Sequence, residues 1–307
     1  MIESVIVQLI PLYILIALGY VAGRWLQVRV ESIAKILIYI IAPAVFLGAM
    51  IRVDFNPAYL ALPLILMMLS YMLTGIVYKL TSLMSSDGME YLISGATVNG
   101  NAIYFGLPVM LTFFEPEIVA LFLLMNLGPA INNFSLGYYL VARGRYTVRE
   151  SLLKLAKMPV IYAAFLGLSL NVLGFELPAI AEKYWQNASG AMVILGMMMI
   201  GLGLSKLEAL ELKLSHMAAF LLMRFALWPL SVFALVMIDK NITHLFSSDI
   251  YQIAMIFSVM PIYGNLVAYA AEHNLYPERA AAAVLASTVF TLVSIPLMFW
   301  LIAFLGI

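Results

Sequence analysis

The chain has 307 residues, of which 64% are hydrophobic and only 10% are charged, whereas soluble domains carry about 25% charged residues. Sixteen basic residues balance sixteen acidic ones, so the net charge gives no reason to expect a nucleic-acid partner. The absence of cysteine excludes disulfides and cysteine-ligated metal centres. This composition predicts an integral membrane protein.

Apolar runs bounded by charged, Pro or Gly clusters divide the chain into ten segments. A helix needs roughly 20 apolar residues to cross about 30 Å of hydrocarbon, and each run is close to that length. The sequence therefore predicts an all-α membrane protein with ten transmembrane helices. The predicted spans are 4–24, 31–51, 57–80, 91–114, 116–142, 156–174, 178–205, 212–238, 249–272 and 277–305.

The Lys and Arg residues concentrate on one side of these spans. If the N-terminus lies outside, only Arg52, Lys183 and Lys240 face outward, and Arg224 falls within span 8. The other twelve basic residues fall in the segments that face inward: Arg24, Arg29, Lys35, Lys79, Arg143, Arg145, Arg149, Lys154, Lys157, Lys206, Lys213 and Arg279. Basic residues stay on the cytoplasmic side, so the sequence predicts an inner-membrane protein with both termini outside the cytoplasm.

A basic segment, residues 143–155, divides the chain into two similar halves, 1–142 and 156–307. Span 1 has Pro11 eight residues before Gly19, and span 6 has Pro159 eight residues before Gly167. Because five spans are an odd number, the second half must be inverted in the membrane, an arrangement found in secondary transporters. We interpret the basic segment as a cytoplasmic loop; binding of anionic membrane lipid is the alternative.

Spans 4 and 9 carry residues that break helices. Span 4 contains Gly106 and Pro108, and span 9 contains Pro261 and Gly264. Proline removes a backbone donor and glycine adds backbone freedom, so the sequence predicts an unwound stretch over 99–108 and a second break in span 9. Broken helices in corresponding places of two repeats indicate a substrate site where they cross.

The broken segments resemble those of a known family. Asn101 is followed after four residues by Gly106-Leu-Pro108, and Pro261 is followed by Gly264-Asn265. This pattern is similar to the fourth and ninth helices of the auxin efflux carrier family, which includes plant auxin carriers and bacterial malate and malonate permeases. The resemblance covers essentially the whole chain. Plant members insert a long phosphorylatable loop between the halves, whereas this chain has about fifteen residues there, so kinase regulation is not expected.

The resemblance implies a fold and a function. The fold is a five-plus-five inverted repeat in which broken helices 4 and 9 cross, with spans 1, 2, 6 and 7 as a scaffold that forms a homodimer. The function is efflux of a small organic anion, such as a carboxylate or dicarboxylate, through elevator-like motion of the remaining spans. We accordingly expect a transporter that is not an enzyme and has no cofactor.

A carboxylate substrate needs hydrogen-bond donors, and broken helices supply free N–H groups. We predict that the amides following Gly106 and Pro261 fill this role, assisted by Asn side chains. Adjacent residues of a helix cannot face one surface, so only one of Asn132 and Asn133 is expected at the site. The candidate substrate-binding residues are Asn101, Gly106, Pro108, Asn132, Asn133, Arg224, Pro261, Gly264 and Asn265.

Arg224 is the basic residue nearest to a span centre, and two roles are open for it. It attracts an anionic substrate, or it donates hydrogen bonds to the carbonyls of broken helices. The acidic residues all fall in loops or near span ends, which disfavours a sodium-coupled symporter of the bile-acid type. A membrane sensor of the same fold that does not transport is the second alternative. The three histidines are scattered, so no metal site is expected.

Overall fold

The computed structural model describes residues 2–53, 57–83, 87–142, 159–205 and 213–307. The predicted domain boundary and basic segment around 143–155 lie outside these residues. The described residues form helices connected by short segments, in agreement with the predicted all-α class. We number the helical segments in chain order: α1 (Ile2–Arg24), α2 (Val30–Arg52), α3 (Ala61–Ser82), α4 (Met89–Val98), α5 (Ala102–Phe113), α6 (Pro116–Val141), α7 (Pro159–Val172), α8 (Ala179–Leu204), α9 (Leu214–Thr243), α10 (Ser248–Ser258), α11 (Asn265–Glu272) and α12 (Pro277–Leu305).

Seven of the described helices are long and apolar enough to cross a membrane: α1, α2, α3, α6, α8, α9 and α12. Their boundaries follow local chemistry. The last of them starts at Pro277, a residue suited to the first turn because its missing N–H needs no partner there. It ends before Gly306, whose φ of 62° is readily adopted by a residue without a Cβ.

Four helices, α1, α2, α7 and α8, form one group, which we call the four-helix group. Within it α1 packs along α8, and α7 packs along α2. Glycines permit these close approaches. A Cβ on Gly19 of α1 would collide with the Met198 carbonyl of α8, and a Cβ on Gly167 of α7 would lie 2.7 Å from the Leu47 carbonyl of α2.

The remaining helices pack against one another and against one side of the four-helix group. Helix α3 contacts α4 and α6, and α12 contacts α10 and α11. The two sets of helices meet where α8 packs on α5, α2 on α6 and α1 on α12. At the last of these contacts, the Tyr13 hydroxyl lies 3.0 Å from the Thr288 carbonyl oxygen, to which it donates, and 2.7 Å from Thr291 Oγ1.

Two pairs of short helices end inside the protein. Helices α4 and α5 are separated by residues 99–101, and α10 and α11 are separated by residues 259–264. We call these segments the first break and the second break. Each interrupts what the sequence predicts to be one span.

Candidate functional site

The two breaks contact each other directly. Gly100 and Ile262 form an isolated antiparallel bridge. The Asn101 N–H donates to the Pro261 carbonyl at 2.7 Å, and the Tyr263 N–H donates to the Asn99 carbonyl at 3.2 Å. Backbone groups released by one break are therefore satisfied by the other, which is the condition for non-helical backbone at membrane depth.

Arg224 lies at this contact and is fully buried. It projects from a π-helical turn of α9, Met223–Leu227. Its Nε donates to the Met260 carbonyl at 2.8 Å, and its Nη1 donates to the Thr97 carbonyl at 3.2 Å. The Thr97 carbonyl lies in the last turn of α4, and the Met260 carbonyl lies in the second break just beyond the end of α10. Both are therefore close to the negative end of a helix dipole. The geometry supports the second of the two roles considered for Arg224, support of the broken backbone.

The first break is shorter than the sequence predicts. Residues 102–113 are helical, so the predicted unwinding over 99–108 is wrong for Gly106 and Pro108. Asn101 restarts the helix: its side-chain oxygen accepts from the Tyr104 N–H at 3.2 Å, and its carbonyl accepts from the Gly106 N–H at 2.8 Å. The first turn is π-helical, and Pro108 follows it at the start of the α-helical part, where its lack of an N–H is tolerated.

A cavity of about 120 Å³ lies between the two breaks and the four-helix group. A water molecule needs at least about 10–15 Å³ of such space, so the cavity has room for a small ligand. Its polar lining is made of Asn99, Asn101, Asn126, Asn133, Tyr104, Tyr263 and Asn265, together with Gly100 and Gly264. The apolar lining comes from α2, α5, α6 and α7 and consists of Ile38, Ala42, Phe46, Ala102, Ile103, Pro129, Ala130 and Val160.

The N-termini of α5 and α11 both meet this cavity. Among the described residues, the N–H groups of Ile103, Gly264 and Asn265 have no hydrogen-bond partner, and all three residues line the cavity. Free N–H groups at a helix N-terminus, combined with the positive end of the helix dipole, favour an anion.

The amides that the sequence singles out are different ones, and that prediction is wrong. The Leu107 N–H, after Gly106, donates to the Ala102 carbonyl inside α5. The Ile262 N–H, after Pro261, donates to Ser287 Oγ of α12 at 3.0 Å. The Leu107 amide is occupied because the helix resumes at Ala102, and the Ile262 amide is occupied because Ser287 packs against the second break.

The nine candidate residues divide between the cavity and its surroundings. Asn101, Asn133, Gly264 and Asn265 line the cavity. Pro261 lies in the second break as the acceptor of the Asn101 N–H, and Arg224 lies behind the breaks. Gly106 and Pro108 are buried in α5, and a Cβ on Gly106 would lie 2.8 Å from the Phe122 ring of α6.

Asn132 and Asn133 point in different directions. Asn132 is fully buried, and its Nδ2 donates to Thr74 Oγ1 of α3 at 3.1 Å. Asn133, at the start of a π-helical turn in α6, lines the cavity instead. One of the adjacent pair therefore connects two helices and the other faces the candidate site.

Four polar lining residues are absent from the nine candidates: Asn99, Tyr104, Asn126 and Tyr263. Asn99 and Asn126 lie in the predicted spans 4 and 5, and polar residues inside a span are expected to be costly and functional, which is the signal that identifies them. Tyr263, two residues beyond Pro261, is 3% exposed, and its hydroxyl has no partner among the described residues. The described residues contain no group of three or more His, Asp or Glu that could hold a metal ion.

Comparisons with known proteins agree with a transport role. A family described as "Membrane transport protein" matches residues 4–299. An uncharacterized transporter of Methanocaldococcus jannaschii is 27% identical over 306 residues, an alignment that covers 94% of this chain and 96% of that protein.

Proposed function

We propose that this chain, which belongs to the membrane transport protein family of the auxin efflux carriers, is a secondary transporter that exports a small organic anion. The anion is a carboxylate or dicarboxylate, and it binds in the cavity between the two breaks and the four-helix group. The protein works in the inner membrane as a homodimer without a cofactor.

The observation that carries this proposal is the convergence of two helix N-termini on one cavity. Each N-terminus is equivalent to roughly half a positive charge, and the free N–H groups of Ile103, Gly264 and Asn265 supply donors there. The buried guanidinium of Arg224 adds a full charge behind the breaks, in surroundings where screening by water is weak. These groups favour a ligand with a negative charge.

Helix packing supports a ten-span inverted repeat. Counting α4 with α5 and α10 with α11 as broken spans gives ten spans. Gly19 of span 1 packs against span 7, and Gly167, its counterpart in span 6, packs against span 2. In an inverted repeat, span 1 corresponds to span 6 and span 2 corresponds to span 7. A contact between spans 1 and 7 must then be matched by a contact between spans 6 and 2, as these glycines show.

The position of the cavity supports an elevator-like motion. Residues of the four-helix group, among them Ile38, Phe46 and Val160, form one wall, and the two breaks form the other. Sliding of the breaks along the four-helix group would carry the bound anion across the membrane while both breaks keep their mutual hydrogen bonds. The exposed apolar surface of α1, which includes Val7 and Ile14, suits the dimer contact that the family resemblance implies.

Ligand binding to the purified protein tests the proposal. The protein is screened by thermal shift against small mono- and dicarboxylates, once in sodium and once in potassium buffer, and hits are then tested for counterflow in proteoliposomes. We expect stabilisation by carboxylates that is independent of sodium, followed by saturable exchange. Binding that requires sodium favours the symporter alternative, and binding without exchange favours the sensor.

A variant that fills the cavity shows whether the carboxylate binds between the two breaks. Gly264→Val places its Cβ where no atom lies within 4 Å, at a residue that lines the cavity, so we expect it to reduce the cavity volume at little cost in stability. We expect it to abolish the carboxylate response. An unchanged response in this variant would place the binding elsewhere and overturn the proposed site.

A further inference from the structure

Tyr13 connects the four-helix group to the remaining helices by hydrogen bonds. Its hydroxyl donates to the Thr288 carbonyl at 3.0 Å and lies 2.7 Å from Thr291 Oγ1. Among the described residues, the other side-chain hydrogen bonds between different helices join members of the same set. Relative movement of the two sets therefore requires this one polar contact to break.

The contact lies deep in the membrane-spanning part of both helices. Tyr13 is near the middle of α1, and Thr288 and Thr291 are near the middle of α12. Thr288 is 2% exposed and Thr291 is fully buried. A hydroxyl at this depth has no water to replace a lost partner, so it needs an acceptor in every stable arrangement of the helices.

Helix α12 repeats the acceptor pair of Tyr13 one turn away. At the observed position the pair consists of the Thr291 hydroxyl and the Thr288 carbonyl, to which that hydroxyl donates. One turn closer to the start of α12, the Thr288 hydroxyl donates to the Val284 carbonyl at 2.8 Å. The two pairs lie on one face of the helix, about 5.4 Å apart along its axis.

We propose that Tyr13 sets the step of the sliding motion, by moving from the pair at Thr291 and Thr288 to the pair at Thr288 and Val284. This inference rests on the proposed function and specifies its movement. Displacement by one turn of one packed helix past another is an established type of conformational switch. Because the hydroxyl is bonded at both positions and unbonded between them, it favours two discrete arrangements.

A cysteine at the cavity reports which arrangement is occupied. The chain has no cysteine, and Asn133 lines the cavity. Labelling of Asn133→Cys by a membrane-impermeant maleimide is measured in intact cells and in inverted vesicles, and the ratio of the two rates follows the ratio of the two arrangements. The cavity adjoins helix ends that flank the basic segment, so labelling in inverted vesicles represents the observed arrangement. No substrate is added.

Two threonine variants should shift this ratio in opposite directions. Thr291→Val removes an acceptor from the observed position, so labelling in inverted vesicles should decrease relative to intact cells. Thr288→Val keeps the Thr288 carbonyl and removes an acceptor from the second position, so the ratio should move the other way. We expect each change to be about three-fold, the factor that corresponds to about 0.6 kcal/mol, the average for a hydrogen bond between membrane helices.

Two further variants complete the test. Tyr13→Phe loses the hydroxyl at both positions and keeps the ring, which packs edge-on against Phe105 of α5, so the ratio should change less than in either threonine variant. Thr81→Val is the matched control. Thr81 of α3 is also buried, and its hydroxyl bonds to carbonyls of its own helix, so the ratio should equal that of the unsubstituted background.

The outcomes separate this inference from the proposed function. If Asn133→Cys is labelled from both sides but the two threonine variants shift the ratio equally or not at all, the role of Tyr13 is wrong and the sliding motion stands. If labelling occurs from one side only in every variant, the sliding motion is wrong, and the role of Tyr13 with it. Binding of carboxylates is measured separately, so its failure would overturn the proposed substrate without altering the labelling pattern.

Discussion

The guanidinium of Arg224 lies directly against Gly100, where a side chain on residue 100 would otherwise project. Its Nη2 is the atom nearest to that position, and it has no hydrogen-bond partner among the described residues. Gly100 also lines the cavity and bridges to Ile262. A single glycine therefore separates a buried charge from the candidate ligand site, and its lack of a Cβ allows Arg224 to reach the carbonyls of Thr97 and Met260.

The first prediction concerns this pair. Gly100→Ala forces the guanidinium away from Thr97 and Met260, and overpacking of this kind costs about 1–3 kcal/mol. Arg224→Met has no donor and leaves the buried carbonyls of Thr97 and Met260 unpaired, at about 1–3 kcal/mol for each. We expect both variants to lower the melting temperature in detergent, while Gly203→Ala, where an added Cβ meets no atom within 4 Å, leaves it unchanged.

Arg224→Lys refines this test. Lysine keeps the charge but presents a point-like ammonium in place of a planar fork, so it can serve only one of the two carbonyls well. We expect a stability between those of the wild type and Arg224→Met. Full stability in Arg224→Met would mean that the hydrogen bonds to Thr97 and Met260 contribute nothing to the fold.

The sequence predicts the helices better than it predicts the breaks. Apolar runs identify long helices such as α12, because the cost of unpaired backbone in lipid leaves few alternatives to helix. Glycine and proline also identify spans 4 and 9 as interrupted. Glycine and proline do not determine the residue at which each helix resumes. That residue depends on tertiary partners such as Ser287, whose hydroxyl accepts a hydrogen bond from the Ile262 N–H.

The sequence predicts only part of the site, because the position of each side chain also depends on its tertiary partners. Asn101 and Asn265 stand out as amides beside helix breakers, and both line the cavity. Pro108 stands out equally but lies within α5, because a π-helical turn before it accommodates its missing donor. The role of Arg224 depends on which carbonyls surround it, and a span position alone does not reveal them.

The second prediction separates two roles of Asn101. Its side chain caps α5 and also lines the cavity. Asn101→Ala removes both the cap of α5 and the amide group at the cavity, and the lost cap should cost about 1 kcal/mol of stability. Asn101→Asp keeps a capping oxygen but places a negative charge beside the ligand. We expect Asp to retain thermal stability and lose carboxylate binding, measured by thermal shift without and with ligand. Retained binding in Asn101→Asp would exclude an anion next to this residue.

The third prediction uses Asn132 and Asn133 as a matched pair. Asn132→Ala breaks the hydrogen bond to Thr74 in a fully buried place. The Thr74 hydroxyl then loses its donor, which adds to the loss of stability. We expect it to reduce the melting temperature and to leave ligand affinity intact in the protein that remains folded. Asn133→Ala should have the opposite effect, with weaker binding at normal stability. Equal effects of the two substitutions would contradict the separation seen in the structure.

The Thr74→Val variant provides the control for Asn132. If the two side chains stabilise the protein through their mutual bond, the double variant Asn132→Ala/Thr74→Val should be less destabilised than the sum of the single variants. A strictly additive result would show that the hydrogen bond itself is not the source of the effect.

The fourth prediction concerns the orientation of the protein and of its cavity. Because the wild-type chain has no cysteine, a maleimide that labels a single-cysteine variant reacts at the introduced residue alone. Leu83 and Leu173 are 80% and 79% exposed near opposite predicted sides. A membrane-impermeant maleimide should label Leu173→Cys in intact cells and Leu83→Cys only in inverted vesicles, since the basic residues predict the side of Leu83 as cytoplasmic. The reverse pattern would overturn the predicted topology.

A third cysteine shows from which side the cavity is reached. The wall of the cavity includes Val160, the second residue of α7, and Asn133, which lies toward the end of α6. Both are close in sequence to the basic segment between the two helices, so the cavity lies toward the side that the basic residues mark as cytoplasmic. Asn133→Cys should therefore react in inverted vesicles, together with Leu83→Cys, and a carboxylate bound in the cavity should slow its labelling but not that of Leu83→Cys. Labelling of Asn133→Cys from the outer side alone would mean that the cavity opens in the opposite direction.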